Sequence, residues 1–195
     1  MSATVTPIRP QPKPAQRGFS LIEVMISIVI MTVGLVSLLG VFGLAMAATQ
    51  SSEQNAIAKQ LANEALESIL TARETATIPW ASIQNTGNGG IFLSGALPID
   101  CAGVDGIIGT ADDAACGPQT LQQPGPDGIF GTADDVFMPL TNYTRTIAIA
   151  EATGPPPLNQ PIPELNLVTI TVTYQNPQMK VQQNYILTTY VSEYR

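Results

Sequence analysis

The sequence predicts an α+β protein in which a long N-terminal helix packs on a C-terminal antiparallel β-sheet. Residues 24–48 form a run of 25 residues without a charge, and the segment that follows has the apolar spacing of an amphipathic helix. Three segments rich in β-branched and aromatic residues lie near the C-terminus, where they favour strands. An aspartate-rich and glycine-rich insert, residues 100–136, separates the helix from these strands.

The uncharged run is long enough to cross a membrane as a helix. At about 1.5 Å per residue it spans roughly 37 Å, against about 30 Å for the hydrocarbon core of a bilayer. A cleaved secretory signal has a shorter apolar region of about 7 to 15 residues, so the run predicts an anchor. Arg9, Lys13 and Arg17 precede the run, and the first charge after it is Glu53. We therefore expect a cytoplasmic N-terminus and an exported C-terminal domain.

Glu23 is the one carboxylate at the start of this apolar segment, within "GFSLIE", residues 18–23. This short motif follows a basic leader and precedes the apolar helix, an arrangement that resembles the N-terminal signature of type IV prepilins and pseudopilins. The resemblance covers roughly residues 1–75. It implies that prepilin peptidase removes residues 1–18 by cleavage between Gly18 and Phe19, and that the new amino terminus on Phe19 is methylated.

The same resemblance gives Glu23 an assembly role as the fifth residue of the mature chain. In the family this glutamate is thought to neutralise the N-terminal amine of a neighbouring subunit in the filament core. Two charges that are each costly in an apolar environment become tolerable as a pair. The alternative is that Glu23 only reaches water or lipid headgroups at the membrane surface.

The amphipathic segment, residues 53–74, is expected to continue the helix of residues 19–52 without a break. Ile57, Leu61, Ala65 and Ile69 recur at spacings of four. From residue 19 to residue 74 such a helix is roughly 80 Å long at about 1.5 Å per residue. Its first half would lie in lipid or in a filament core, and its second half would pack on the exported domain, residues 75–195.

The insert contains an internal repeat with a period of 22 residues: "GVDGIIGTADD" from Gly103 and "GPDGIFGTADD" from Gly125, identical at nine of eleven positions. Clustered carboxylates on turning backbone are typical of calcium sites, although the EF-hand pattern fails at its opening ligands. The alternative is a pair of Asp-Gly turns on a solvated acidic loop. The side-chain ligands expected for calcium are Asp105, Asp112, Asp127 and Asp134, with Asp113 and Asp135 as alternates.

Cys101 and Cys116, which bracket the first copy, are the only cysteines and are expected to form a disulfide in an exported domain. Closing such a loop stabilises by about 3 kcal/mol in the chain-entropy model. We expect the bridge to hold a segment that otherwise has no core.

The three predicted strands are "YTRTIAIAE" from Tyr143, "LNLVTITVTY" from Leu165 and "VQQNYILTTYV" from Val181. In the middle one Val168, Ile170, Val172 and Tyr174 alternate with more polar residues, so one face is expected to pack on the helix. The Pro-rich "TGPPPLNQPIP" is predicted to be a connecting loop, and "QNPQ" to be the turn into the last strand.

The composition excludes several classes of function. Formal net charge is −7, and without residues 1–18 the chain has 5 basic and 15 acidic residues, or −10, so nucleic acid is not an expected partner. There is no histidine, no phosphate-binding P-loop, no nucleophile elbow and no zinc-spaced cysteine pair, so an enzyme is not expected.

The N-terminal segment looks most like the PilV-type group of minor pilins. Many major pilins have a helix-disturbing proline at about the depth of Gly40, and its absence here favours a minor subunit. The partners that the resemblance implies are other pilins or pseudopilins, prepilin peptidase, the inner-membrane assembly platform and membrane lipid. A pseudopilin of a type II secretion system shares these features, and a calcium-dependent binding module anchored by the helix is an alternative of a different class. All three place the chain in the bacterial inner membrane, and the first two then place it in a filament.

Overall fold

The computed structural model describes residues 18–157, 159–175 and 181–194. All of the predicted basic leader except Gly18, and most of the predicted "QNPQ" turn, lie outside these residues. The chain divides into two compact units with the boundary after Met46. One long helix, α1 (Leu21–Glu74), provides most of the described part of the first unit and begins the second.

The described part of the first unit consists mostly of the N-terminal part of α1, whose large apolar side chains are exposed. This part of the helix is long and apolar enough to cross a membrane, by length and composition. The exposure is what a lipid-facing or subunit-facing surface requires, because no other part of this unit among residues 18–46 covers these side chains.

The second unit is an α+β domain that confirms the predicted fold class. After α1 come two short 3₁₀ helices and a four-residue helix, and the strands form a four-stranded antiparallel sheet and a separate hairpin. The bounds of these elements are Trp80–Ser82, Thr86–Asn88, β1 (Leu97–Pro98), α2 (Asp113–Cys116), β2 (Thr120–Gln123), β3 (Val136–Pro139), β4 (Tyr143–Thr153), β5 (Pro161–Gln175) and β6 (Gln182–Ser192). The sheet has the order β1-β4-β5-β6, and β2 pairs with β3 in the hairpin.

The core lies between one face of α1 and one face of the sheet. The helix face is made mostly of small side chains, which let the backbone approach the sheet closely; its buried members are Ala58, Leu61, Ala62, Ala65, Ile69 and Ala72. The predicted inner face of β5 is buried as expected, and its members are Val168, Ile170, Val172 and Tyr174.

Two expectations about the segments that connect the helix and strands are wrong. The Pro-rich connection is not a loop throughout, because β5 begins at Pro161, which pairs with Thr153. Proline is tolerated there as the first residue of a strand, and a register shift between Glu151 and Ala152 accommodates Pro163. The insert is also not coreless, because Ile107 and Ile108 belong to the buried core.

Candidate functional site

The first candidate site is the start of α1, where the chain changes from extended to helical. Gly18, Phe19 and Ser20 precede the helix and are exposed. The Ser20 carbonyl accepts hydrogen bonds from the N–H groups of Glu23 at 3.0 Å and Val24 at 3.2 Å, which begins the helix. The Gly18–Phe19 bond therefore lies in exposed, non-helical chain, and cleavage there stays a prediction.

Glu23 lies in the first turn of α1, where the positive end of the helix dipole favours a carboxylate. It shares an apolar groove of about 300 Å³ with Phe19 and with Val24, Ile28 and Met31 on the same helix face. Ser27 also lines this groove, and its hydroxyl donates to the Glu23 carbonyl at 2.7 Å. No basic side chain among residues 18–157, 159–175 and 181–194 forms an ion pair with Glu23. Glu23 is thus a carboxylate on an otherwise apolar surface that has room for a cation from another chain.

The second candidate site is the repeat. We call residues 103–113 the first loop and residues 125–135 the second loop. In the first loop the Asp105 N–H donates to Asp112 Oδ2 at 3.2 Å, and the Gly109 N–H donates to Asp113 Oδ2 at 2.6 Å. The Thr110 hydroxyl donates to Asp112 Oδ1 at 2.5 Å. The second loop repeats these bonds, from Asp127 N–H to Asp134 Oδ2 at 3.4 Å, from Gly131 N–H to Asp135 Oδ2 at 2.6 Å, and from the Thr132 hydroxyl to Asp134 Oδ1 at 2.6 Å.

The glycines of the repeat follow from this hydrogen-bonded arrangement. A Cβ atom on Gly103 would lie 2.2 Å from Asp112 Oδ2, and one on Gly125 would lie 2.3 Å from Asp134 Oδ2. Gly106 and Gly128 both have a φ of 70°, a left-handed conformation that side chains with a Cβ rarely adopt. The residues that are identical in the two copies therefore specify one local conformation.

The two loops differ in their surroundings. Asp113 is buried, and desolvation raises the pKa of its carboxyl group above the usual value despite hydrogen bonds from the Gly109 and Gly103 N–H groups. In Asp135 burial also acts to raise the pKa, but hydrogen bonds from the Gly131 N–H and the Gln122 side chain outweigh it, and the pKa is lowered. Equivalent residues of the repeat therefore have opposite pKa shifts because only the first loop lies in the interior.

The proposed calcium ligands are brought together only in part. Asp105 adjoins Asp112, and Asp127 adjoins Asp134, through the backbone bonds described above. Hydrogen bonds from the Thr110 and Thr132 hydroxyls are the largest cause of the lowered pKa of Asp112 and Asp134, respectively. In the described part of the chain no group of three or more His, Cys, Asp or Glu side chains is placed to hold a metal ion. Calcium binding by these loops stays a prediction.

Cys101 and Cys116 form a disulfide across the first loop and α2. The Cys101 N–H also donates to the Gly117 carbonyl at 3.1 Å, and the Gln119 N–H donates to the Ile99 carbonyl at 2.9 Å. The disulfide and these hydrogen bonds therefore hold the two flanks of the first loop close together. Between these flanks the first loop contributes side chains to the core.

Sequence reasoning missed Arg145, which is buried on β4 beneath the first loop. Its Nη1 donates to the Leu61 carbonyl of α1 at 3.4 Å. Burial lowers the pKa of its guanidinium, while the charges of Glu64, Asp113 and Asp100 raise it. The signal was present in "YTRTIAIA", because Arg145 is in phase with the buried Tyr143, Ile147 and Ile149.

Comparison with known proteins identifies the motif at the N-terminus. The family model for the prokaryotic N-terminal methylation motif matches residues 13–39. No curated protein and no solved structure has a significant match to this chain. The matched residues include Gly18, Phe19, Glu23 and the first part of α1, and they support membrane anchoring, processing by prepilin peptidase and assembly with other pilins. The methylation motif and the long helix followed by an antiparallel sheet together support assignment of the chain to the type IV pilins and pseudopilins, as a structural subunit.

Proposed function

We propose that the chain is a minor pilin of the PilV type, which is cleaved between Gly18 and Phe19, methylated on Phe19, and assembled into a type IV pilus through α1. The observation that carries this proposal is the position of Glu23. It is five residues into the expected mature chain, in the first helical turn, on an apolar surface with no cation of its own among the described residues.

Glu23 supports assembly because an ionised carboxylate on an apolar helix is favourable only with a partner. The expected partner is the N-terminal amine on Phe19 of an adjacent subunit. Pairing removes two costly charges from an apolar environment and selects one axial register between the two helices. A charge-assisted hydrogen bond contributes about 1.5 to 3 kcal/mol, which is roughly tenfold or more in an assembly equilibrium.

The test compares Glu23→Ala with Glu53→Ala, the same change at an exposed position farther along α1. We expect both variants to reach the membrane fraction in wild-type amounts, since neither change makes the apolar helix more polar. The amount of Glu23→Ala in sheared filaments should fall by roughly tenfold or more, whereas Glu53→Ala should be incorporated like the wild type. Equal incorporation of the two variants would show that Glu23 is only a tolerated charge at the membrane surface.

Processing is tested by the intact mass of protein extracted from membranes. We expect a chain that begins at N-methylated Phe19, and an unprocessed chain in cells that lack prepilin peptidase. A chain that keeps its leader in cells with active peptidase would overturn the proposal.

A pseudopilin of a type II secretion system is the second candidate, because it is expected to have the same N-terminal features. Deletion of the gene separates the two: loss of surface pili supports the minor pilin, and loss of exoprotein secretion with intact pili supports the pseudopilin. The anchored calcium-binding module is distinguished by calcium-dependent stabilisation without filament incorporation.

A further inference from the structure

The two loops have the same conformation, but two adjacent apolar residues are buried in the first loop and exposed in the second. We call these two residues the apolar pair of each loop. In the first loop Ile107 and Ile108 are each 3% exposed. Their equivalents in the second loop, Ile129 and Phe130, are 60% and 64% exposed. The second loop thus has two large apolar side chains in water that the first loop places in a core.

The internal hydrogen bonds of the loop do not require apolar side chains at these two positions. Only backbone atoms of Ile107 and Ile129 take part, in bonds to Asp105 Oδ1 and Asp127 Oδ1 at 2.8 and 2.9 Å. In the first loop the apolar pair instead attaches the loop to the rest of the domain. Its side chains join the core with α1, and the Ile108 N–H donates to Ser68 Oγ on α1 at 3.3 Å.

The second loop has an N–H group and apolar side chains equivalent to those of the first loop, but no described part of the chain covers them. The Phe130 N–H has no acceptor within the described part of the chain. Val136, Phe137 and Met138 of β3, the strand that follows the second loop, are also exposed. The hairpin thus exposes apolar side chains in its loop and along β3, and the loop also has a free N–H group.

Charge adds a further requirement for any partner. In the first loop, burial raises the pKa of Asp113, and the positive charge of Arg145, which lines the same cavity, opposes part of this rise. The equivalent residue, Asp135, is next to Asp134 in sequence, and the sequence has no Lys or Arg between Arg73 and Arg145. A surface that offers a cation beside an apolar groove is therefore complementary to the second loop.

We propose that the second loop is a docking element for a neighbouring, non-identical protein subunit. Ile129 and Phe130 enter a groove between a helix and a sheet of that subunit, in the way that the first loop occupies such a groove in its own chain. The partner offers small apolar side chains, a hydroxyl oxygen for the Phe130 N–H, and a Lys or Arg for Asp135. A second copy of this chain is disfavoured, because its own first loop, closed by the Cys101–Cys116 disulfide, fills the equivalent groove.

That the partner is a filament subunit rests on the proposed function, whereas the docking surface itself does not. The test uses the full chain in its native cells, with the photoreactive residue benzoylphenylalanine at position 130. Position 104 is the control, because Val104 is 100% exposed and lies on the first loop. We expect position 130 to cross-link to one other protein, at a helical segment with a Lys or Arg within about one helical turn, and position 104 to give at most a tenth of that product.

A second arm measures the consequence for assembly. Ile129→Asp with Phe130→Asp should reduce co-isolation with the cross-linked partner by tenfold or more, while Val104→Asp leaves it unchanged. Reversing the partner's mapped cation to Glu should reduce the cross-link at position 130, and Asp135→Lys should restore it. No cross-link at position 130, a cross-link to lipid, to a second copy or to a surface without a cation, or equal co-isolation of all variants would overturn the proposal. If the wild-type chain is absent from filaments but the expected cross-link forms, the proposed function fails and the docking surface stands.

Discussion

Removal of the Asp113 carboxylate should destabilise the domain, whereas the same change at Asp135 should not. In Asp113→Ala two backbone N–H groups lose their acceptor, that of Gly103 at 3.0 Å and that of Gly109 at 2.6 Å. An unsatisfied buried donor costs about 1 to 3 kcal/mol. Relief of the unfavourable burial of the carboxylate offsets part of this, so we expect a net loss of about 2 kcal/mol in the free energy of unfolding. In Asp135→Ala the freed donors return to water, so the free energy of unfolding should be almost unchanged.

The assay is denaturant unfolding of a soluble fragment that begins at Ala47, with the disulfide formed. The pH dependence of the difference from wild type gives an independent check, because the two carboxyl groups have opposite pKa shifts. A raised folded-state pKa contributes stability below the unfolded pKa of 3.8 and loses it as pH rises through the folded value. The stabilising contribution of Asp113 should therefore grow as pH falls, whereas that of Asp135 should shrink. Equal losses in the two variants, or pH slopes of the same sign, would refute this reasoning.

Two further predictions concern alkaline pH and calcium. Burial raises the pKa of Tyr143 to about 12 from 10.0, so its contribution to stability should be present below pH 10 and be lost as pH rises toward 12; thermal unfolding of Tyr143→Phe should lack this loss. For calcium, the two alternatives are an ion site and a pair of solvated acidic turns, in which the carboxylates of Asp112 and Asp134 accept hydrogen bonds within the loops. If the loops are only turns, the thermal midpoint of unfolding should be the same in millimolar calcium and in chelator. A midpoint that rises with calcium, and that loses the rise when the four proposed ligand aspartates become asparagine, would identify the loops as calcium sites.

Local sequence patterns predicted the helix and the three long strands because those patterns report local preferences and one buried face. The inner face of β5 was correct residue by residue, since Val168, Ile170 and Val172 alternate with polar residues. The same reasoning could not separate Ile108 from Phe130, because the two loops are locally alike and only tertiary contacts bury one of them. It missed the entry of Pro161 into β5 because proline is a loop signal unless it begins a strand or lies at a bulge.

Sequence reasoning also identified the start of α1 more completely than the interior of the domain. Gly18, Phe19 and Glu23 lie within one short motif, residues 18–23, so the motif can be recognised from the sequence without the fold. Arg145 donates to the Leu61 carbonyl, 84 residues away in sequence. The alternation of its neighbours places Arg145 on the buried face of β4, but nothing in them indicates that it lies beneath Asp113. Long-range electrostatics of this kind follow from the fold and not from a motif.

Each loop is closed by hydrogen bonds from its backbone N–H groups to its own aspartates, and this has a consequence for protein engineering. Eleven residues adopt one conformation both between disulfide-linked ends and at the tip of a two-stranded hairpin, so the sequence sets its shape with little help from its host. Such a segment is suitable for transplantation into an unrelated hairpin. The positions of Ile129 and Phe130 would then be free for randomisation, since their side chains are not needed to keep the loop folded.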